Sequence, residues 1–193
     1  MLRHNWVIRH TTKWLLLFVT IFLVQAVLNC VTAQVAKVSA DTSIGGRIFL
    51  DDFESINKAL IINDSDFKVD TKNDLNYIVY KNTSNHYLRL YLYPGNGCCQ
   101  YFEVGYLSKQ TKKIKQTALQ LETESKIHLG LSLASFIKTK DINSMNKKVV
   151  NGIIIYEYAR YSEELSQIRY SARWVFKNKR LIKFGFGNTA YNP

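Results

Sequence analysis

Cys98, Cys99, His86, His128, Ser135 and Lys138 are the side chains in this sequence best suited to chemistry. A thiol becomes a catalytic nucleophile beside a base that takes its proton, so a cysteine–histidine site needs Cys98 or Cys99 carried to a histidine. Ser135-Phe-Ile-Lys138 has the S-x-x-K spacing of penicillin-binding enzymes, without the SDN and KTG segments that complete such a site. Gly130-Leu-Ser-Leu-Ala134 departs from GxSxG at its last position, and HExxH, CxxC and the glycine-rich phosphate-loop signature are absent. The two cysteines and two histidines fit no standard metal-ligand spacing. The sequence therefore points to no catalytic residue, no cofactor and no metal. A small hydrolase of unfamiliar type, working through a cysteine or serine, is the alternative.

Adjacent cysteines cannot staple a useful loop, because a vicinal disulfide is strained and closes almost no chain. Cys98 and Cys99 are expected as neighbouring strand residues on opposite sides, one of them a small buried hydrophobe. A vicinal or intermolecular disulfide is the alternative.

Binding has better support than catalysis. The formal net charge is +11, and the bases cluster: Lys109, Lys112, Lys113 and Lys115 around one connection, and Lys177, Lys179, Arg180 and Lys183 around a hairpin tip. With Tyr170 and Trp174 on the same hairpin, Lys177, Lys179, Arg180 and Lys183 are the candidate binding residues. In an exported chain such charges suit a protein or an anionic envelope component, not nucleic acid. Lysines that discourage edge pairing are the plainer reading. Asn63-Asp-Ser65 and Asn82-Thr-Ser84 are glycosylation sequons in a eukaryotic host.

The element that presents these residues is Tyr170–Gly187, two aromatic and β-branched runs flanking Lys177-Asn-Lys-Arg180. A three-residue loop, Asn178–Arg180, pairs Phe176 with Ile182, Trp174 with Phe184 and Ala172 with Phe186. That register gathers the large apolar residues, except Val175 and Leu181, on one side. Arg173 and Lys183 then face solvent.

Upstream, Arg47–Leu50 reads as a strand, followed by a helix from Asp51 or Asp52 to about Ile61 with Phe53, Ile56 and Leu60 on one face. Asp51 and Glu54 have the spacing of a capping box. Asn63–Asn76 reads as loop, and Tyr77–Lys81, Tyr87–Tyr93, Cys98–Leu107 and Lys113–Leu121 as strands, with a turn at Pro94–Gly97. Lys126–Gly130 is expected as a strand entering a helix capped by Ser132, with Leu133, Phe136 and Ile137 inward; Lys138–Lys148 as loop; and Gly152–Ala159 as a strand. Two parts echo each other about 80 residues apart: Arg47–Leu50 with Lys126–Leu129, and Tyr91–Gly105 with Trp174–Gly187. The expected fold class is α+β, with two similar halves (47–121 and 126–190), each a short helix packed on antiparallel strands.

The second half, from Ile127-His-Leu-Gly-Leu-Ser132 through Tyr156-Glu-Tyr158 to Trp174–Phe184, resembles small α+β modules of exported bacterial proteins. The β-lactamase-inhibitor-like and small outer-membrane-assembly lipoprotein modules are of this kind. The resemblance implies protein binding without an active site.

The first 33 residues carry Arg3, Arg9 and Lys13 and no acid, then an apolar run from Trp14 to Leu28, then Val31-Thr-Ala33. That is the layout of a cleaved secretory signal, and the run is short for a bilayer span of about 20 residues. The expected organisation is a signal peptide at 1–33, a linker at 34–46 and one domain at 47–193. The protein is then secreted or periplasmic, with membrane association through the N-terminal segment, or lipid on Cys30, as the alternative. A composition 47% hydrophobic and 13% aromatic excludes a disordered chain. The sequence as a whole reads as an exported, non-enzymatic binding module.

Overall fold

Alternation builds the sheet. Along Gln167–Lys177, Tyr170, Ala172, Trp174 and Phe176 are buried, while Ser171, Arg173 and Val175 between them turn to the opposite face. The computed structural model describes residues 40–63, 66–70, 75–92, 99–107, 114–162 and 167–188, all within the unit Val38–Pro193.

In chain order the elements are β1 (Ser43–Ile44), β2 (Ile48–Phe49), α1 (Phe53–Ala59), β3 (Lys68–Asp70), β4 (Leu75–Lys81), β5 (His86–Leu92), β6 (Cys99–Tyr106) and β7 (Lys115–Gln116). Then come α2 (Leu133–Thr139), a 3-10 turn (Ile142–Ser144), β8 (Asn146–Val150), β9 (Ile153–Ser162), β10 (Gln167–Lys177) and β11 (Arg180–Gly187). The large sheet runs β3-β4-β5-β6-β11-β10-β9-β8, each neighbour antiparallel, and β7 lies parallel to β4. β1 and β2 pair separately. The fold is α+β, as expected: one large antiparallel sheet and two short helices.

Both helices pack on the same apolar core. α1 starts at Asp52, whose Oδ1 accepts from the Ser55 amide at 3.0 Å, and it buries Ile56. Asp51, offered above as the cap, instead takes a left-handed φ of 59° just before it. Ser132 caps α2, its Oγ accepting from Ser135 N at 3.0 Å. Phe136 then inserts among Tyr156, Trp174 and Phe176, with ring centroids 5.5, 5.3 and 5.1 Å away. Phe53 and Ile137, placed inward by the helical period, are exposed.

The closing hairpin keeps the pairs Trp174–Phe184 and Ala172–Phe186 but reaches them by another route. Its loop has two residues, Asn178 and Lys179, at φ 51° and 57°, the left-handed pair of a type I′ turn. The three-residue loop is corrected accordingly: Phe176 faces Leu181, not Ile182. Ile182 is the extra residue of a bulge that resets the register, so Leu181 and Phe184 both reach the core.

Other boundaries move for physical reasons. Asp41–Gly46, the end of the expected linker, is part of the fold: Asp41 and Ile44 are fully buried, and Gly45 N donates to Glu122 O at 2.7 Å. The expected loops at 63–76 and 138–148 contain β3 and the start of β8. β8 was legible in Asn151-Gly152, a second type I′ turn at φ 49° and 74°. Of the expected strand Lys113–Leu121, the described residues 114–121 pair in a ladder only at Lys115–Gln116, yet Thr117, Leu119 and Leu121 are buried at alternate positions. That alternation records burial against the core rather than a strand. Lys126–Gly130 is likewise not a strand, with left-handed Lys126 and Gly130 and an isolated bridge from His128 to Glu122.

Candidate functional site

Opposite the core, the sheet carries a polar and aromatic face. β5 alternates Leu88 and Leu90 inward with Tyr87, Arg89 and Tyr91 on the other side. One row of paired residues crosses six strands: Val79, Arg89, Glu103, Gly185, Arg173 and Glu157.

Glu103, 1% exposed, is the hub of this row. Its Oε1 accepts from the Tyr87 hydroxyl at 2.8 Å and lies 3.2 Å from Arg89 Nη1, while Lys183 Nζ is 2.6 Å from Oε2. Arg89 Nη1 donates to Tyr91 Oη at 2.9 Å, and its guanidinium carbon lies 5.2, 5.5 and 5.7 Å from the ring centroids of Tyr77, Tyr87 and Tyr91. Burial, then the Glu103 charge, pushes the Tyr87 and Tyr101 hydroxyls up, so both stay protonated donors. Burial alone would lower the Arg89 guanidinium; the hydrogen bond to Tyr91 and the Glu103 charge outweigh it and raise it.

Further along the sheet, Arg173 Nε is 3.5 Å from Glu157 Oε1 and Lys148 Nζ is 2.7 Å from Glu157 Oε2. Four cations thus share two carboxylates across β5 to β8. Arg89, Lys183, Arg173 and Lys148 keep 33, 37, 28 and 61% of their side-chain surface exposed. At about 4.8 Å per strand the strip is about 24 Å long. Chemically it can hold an extended anion; among the described residues, no three His, Cys, Asp or Glu side chains gather as a metal site.

The six candidate binding residues do not share one surface. Lys177, Lys179 and Arg180 are exposed at the hairpin tip. That tip is docked on the segment that enters α2: Leu133 N donates to Lys179 O at 2.9 Å, and the Arg180 side chain donates through Nη1 to Gly130 O at 3.1 Å. Lys183 belongs to the strip, held by Glu103. Tyr170 and Trp174 lie in the core, 6 and 2% exposed. Arg173 and Lys183, expected to face solvent, lie on the face opposite the core and are partly exposed, and each also faces a carboxylate. Sequence reasoning missed Arg89, Glu103 and Glu157. Their signal was the alternation Tyr87-Leu-Arg89-Leu-Tyr91 opposite Glu103 and Gly105.

Among the described candidates, Cys99 and His86 are kept apart. Cys99 pairs with Leu92 at one end of β5 and His86 with Tyr106 at the other, about 20 Å along the strand. Cys99 is fully buried. His128 Nδ1 lies 3.0 Å from the Leu129 carbonyl. Ser135 and Lys138 are exposed on α2, with Ser135 Oγ 2.8 Å from Ser132 Oγ. Lys115 pairs with Asp66 and donates to Ile61 O at 3.1 Å. Cys98, Lys109, Lys112, Lys113, the Pro94–Gly97 turn and the N-terminal segment lie outside the described residues, among which no helix is long and apolar enough to cross a membrane.

No family model matches the chain, and no curated protein matches it. Among solved structures it is similar to a cysteine-rich secretory protein from Staphylococcus aureus, 13% identical, with a TM-score of 0.47 over 79% of this chain and 49% of that one. It is also similar to an extracellular protein containing a SCP domain from Bacillus anthracis, 12% identical, with a TM-score of 0.43 over 80% of this chain and 48% of that one. The chain spans about half the length of those structures.

Proposed function

We propose that this chain is an exported, non-enzymatic binding module whose outer sheet face holds an anionic component of the cell envelope. The observation that carries the reading is Glu103. A buried carboxylate fixes Arg89 and Lys183 in place while leaving a third of each side chain exposed, so an anionic ligand meets cations already ordered. Among the groups named, Arg89, Lys183, Arg173 and Lys148 outnumber Glu103 and Glu157 by two charges. A cysteine-dependent hydrolase has no comparable support, since Cys99 and His86 sit at opposite ends of β5.

The module is read as two similar halves. Asp52 and Ser132, the helix caps, are 80 positions apart, as are the buried Ile56 and Phe136 and the exposed edge valines Val69 and Val149. Phe184 pairs with Val104 and Phe186 with Phe102, a crossing pattern centred on Glu103–Gly185. On that axis Arg89 corresponds to Arg173, each one strand out from the seam. The match of Tyr91 with Trp174 suggested by the sequence is one residue out, because Tyr91 faces outward with Tyr101 and Trp174 faces the core.

Long-chain polyphosphate is the probe, with neutral dextran as control. Wild-type protein is expected to bind polyphosphate with an affinity that falls steeply with salt, and the Arg173→Gln, Lys148→Gln double variant to bind about 10-fold more weakly, roughly 1.4 kcal/mol. Equal binding by both proteins, or none by the wild type, overturns the reading. Export is tested separately, by N-terminal sequencing of the protein from its host: a mature start at Gln34 is expected, and a retained Met1 contradicts it.

A further inference from the structure

Asp41 and Lys140 form an ion pair deep in the fold, Nζ to Oδ2 at 2.8 Å, with side chains 0 and 4% exposed. The lysine's other polar neighbour is Ser125 Oγ at 3.3 Å, and its ammonium lies 5.9 Å from the Trp174 ring centroid. The buried Tyr170 hydroxyl sits in the field of the Asp41 carboxylate. Beyond Lys140, no hydrogen-bond partner among the described residues reaches either Asp41 carboxylate oxygen. Two charges so placed are costly, because burial of an ion pair is offset only when the remaining lone pairs and protons are also satisfied.

Under the duplication proposed above, on which this one step rests, the matching positions carry no charge. Eighty positions from Asp41 and Lys140 stand Leu121 and Leu60, both buried.

We propose that Asp41 and Lys140 condense into an intramolecular isopeptide bond. Lys140 Nζ bonds to Asp41 Cγ, one Cγ–O bond breaks, and that oxygen leaves with two ammonium protons as water. An ammonium and a carboxylate become a neutral amide plus one water, with no net change in protons or electrons. The first proton crosses the Nζ to Oδ2 contact itself, 2.8 Å long, and leaves a neutral amine beside a carboxylic acid. Nζ lies 2.8 Å from Oδ2, the oxygen bonded to the carbon it would attack, and intramolecular placement of reacting groups can supply effective molarities of about 10⁵–10⁸ M. The product removes both buried charges. It ties the N-terminal edge of the fold to the C-terminal end of α2, where tension on an exported module's leading segment would be felt.

Intact-mass spectrometry of the denatured wild-type protein tests this. The expected mass is one water below that calculated from its own N terminus, and digestion should yield two peptides joined through Asp41 and Lys140. Lys140→Arg should return the full mass. An unreduced wild-type mass, or a water loss mapped to other residues, overturns the proposal. The decisive reading is on the wild type, so a variant that fails to fold does not blunt it. It is also independent of polyphosphate binding, so the two proposals fail separately.

Discussion

Glu103 on β6 and Gly185 on β11 stand directly opposite each other at the centre of the sheet, and the space a side chain would take at Gly185 is filled by Tyr101. A Cβ at Gly185 would lie 2.5 Å from the Tyr101 hydroxyl and 2.8 Å from the Phe102 carbonyl oxygen. Gly105 does the same for Tyr87, with a Cβ 2.7 Å from its ring. The glycines are therefore what allow tyrosine rings to lie flat beside the carboxylate and orient the strip.

Gly185→Ala is expected to destabilise the protein by about 1–3 kcal/mol, the usual cost of overpacking. The measurement is the urea midpoint at constant m-value. A midpoint equal to wild type would mean that Tyr101 moves freely, and that the face is less ordered than argued.

Glu103→Leu should cost about 1–3 kcal/mol. Removing one partner of a buried pair costs about 3–5 kcal/mol, discounted here because Arg89 and Lys183 keep part of their surface in water. Adding Lys183→Met should return part of the loss, since one stranded cation is gone. Strict additivity of the two changes in a denaturation cycle would show that they do not interact.

Acid should weaken the fold through two groups of the same sign. Burial alone would raise the Glu124 carboxyl, but the amides of Thr42 and Ser43 outweigh it and hold the group below its ordinary 4.5. Burial lowers His86 from 6.5. A group with a depressed folded value gives its full contribution above the unfolded value and loses it as pH falls toward the folded one. Stability should therefore begin to drop below pH 6.5 through His86, and drop again below pH 4.5 through Glu124. Glu124→Gln is expected to flatten the second fall in a series of urea denaturations. An unchanged slope there would remove Glu124 from the account.

The sequence made visible what short-range physics controls. Ser132 as a cap and the alternation around Trp174 both survive, because each depends on neighbours within a few residues. The site was hidden because its hub is made by register: Glu103 meets Lys183 only when β6 and β11 pair across the middle of the sheet. Tyr170 and Trp174 looked like a binding face because alternation marks one side of a strand without saying which side the helices cover. Phe136 decides that, by packing on Trp174 from α2.

The hairpin loop offers the last test. Lys179 holds φ at 57° in a two-residue type I′ turn, and a left-handed residue with a Cβ costs roughly 1–2 kcal/mol. The other such turn uses glycine at the equivalent place, Gly152 after Asn151. The contact Lys179 makes to α2 is through its carbonyl, which accepts from Leu133 N, so glycine would keep it. Glycine also gives the unfolded chain more freedom, which offsets part of the gain by about 0.4–1 kcal/mol. Lys179→Gly is therefore expected to stabilise the protein by about 0.5–1 kcal/mol, read as a higher urea midpoint, and to leave polyphosphate binding unchanged because the strip lies on the sheet face and not at the tip. A lower midpoint would mean that the loop is not type I′, and weaker polyphosphate binding would return the hairpin tip to the site.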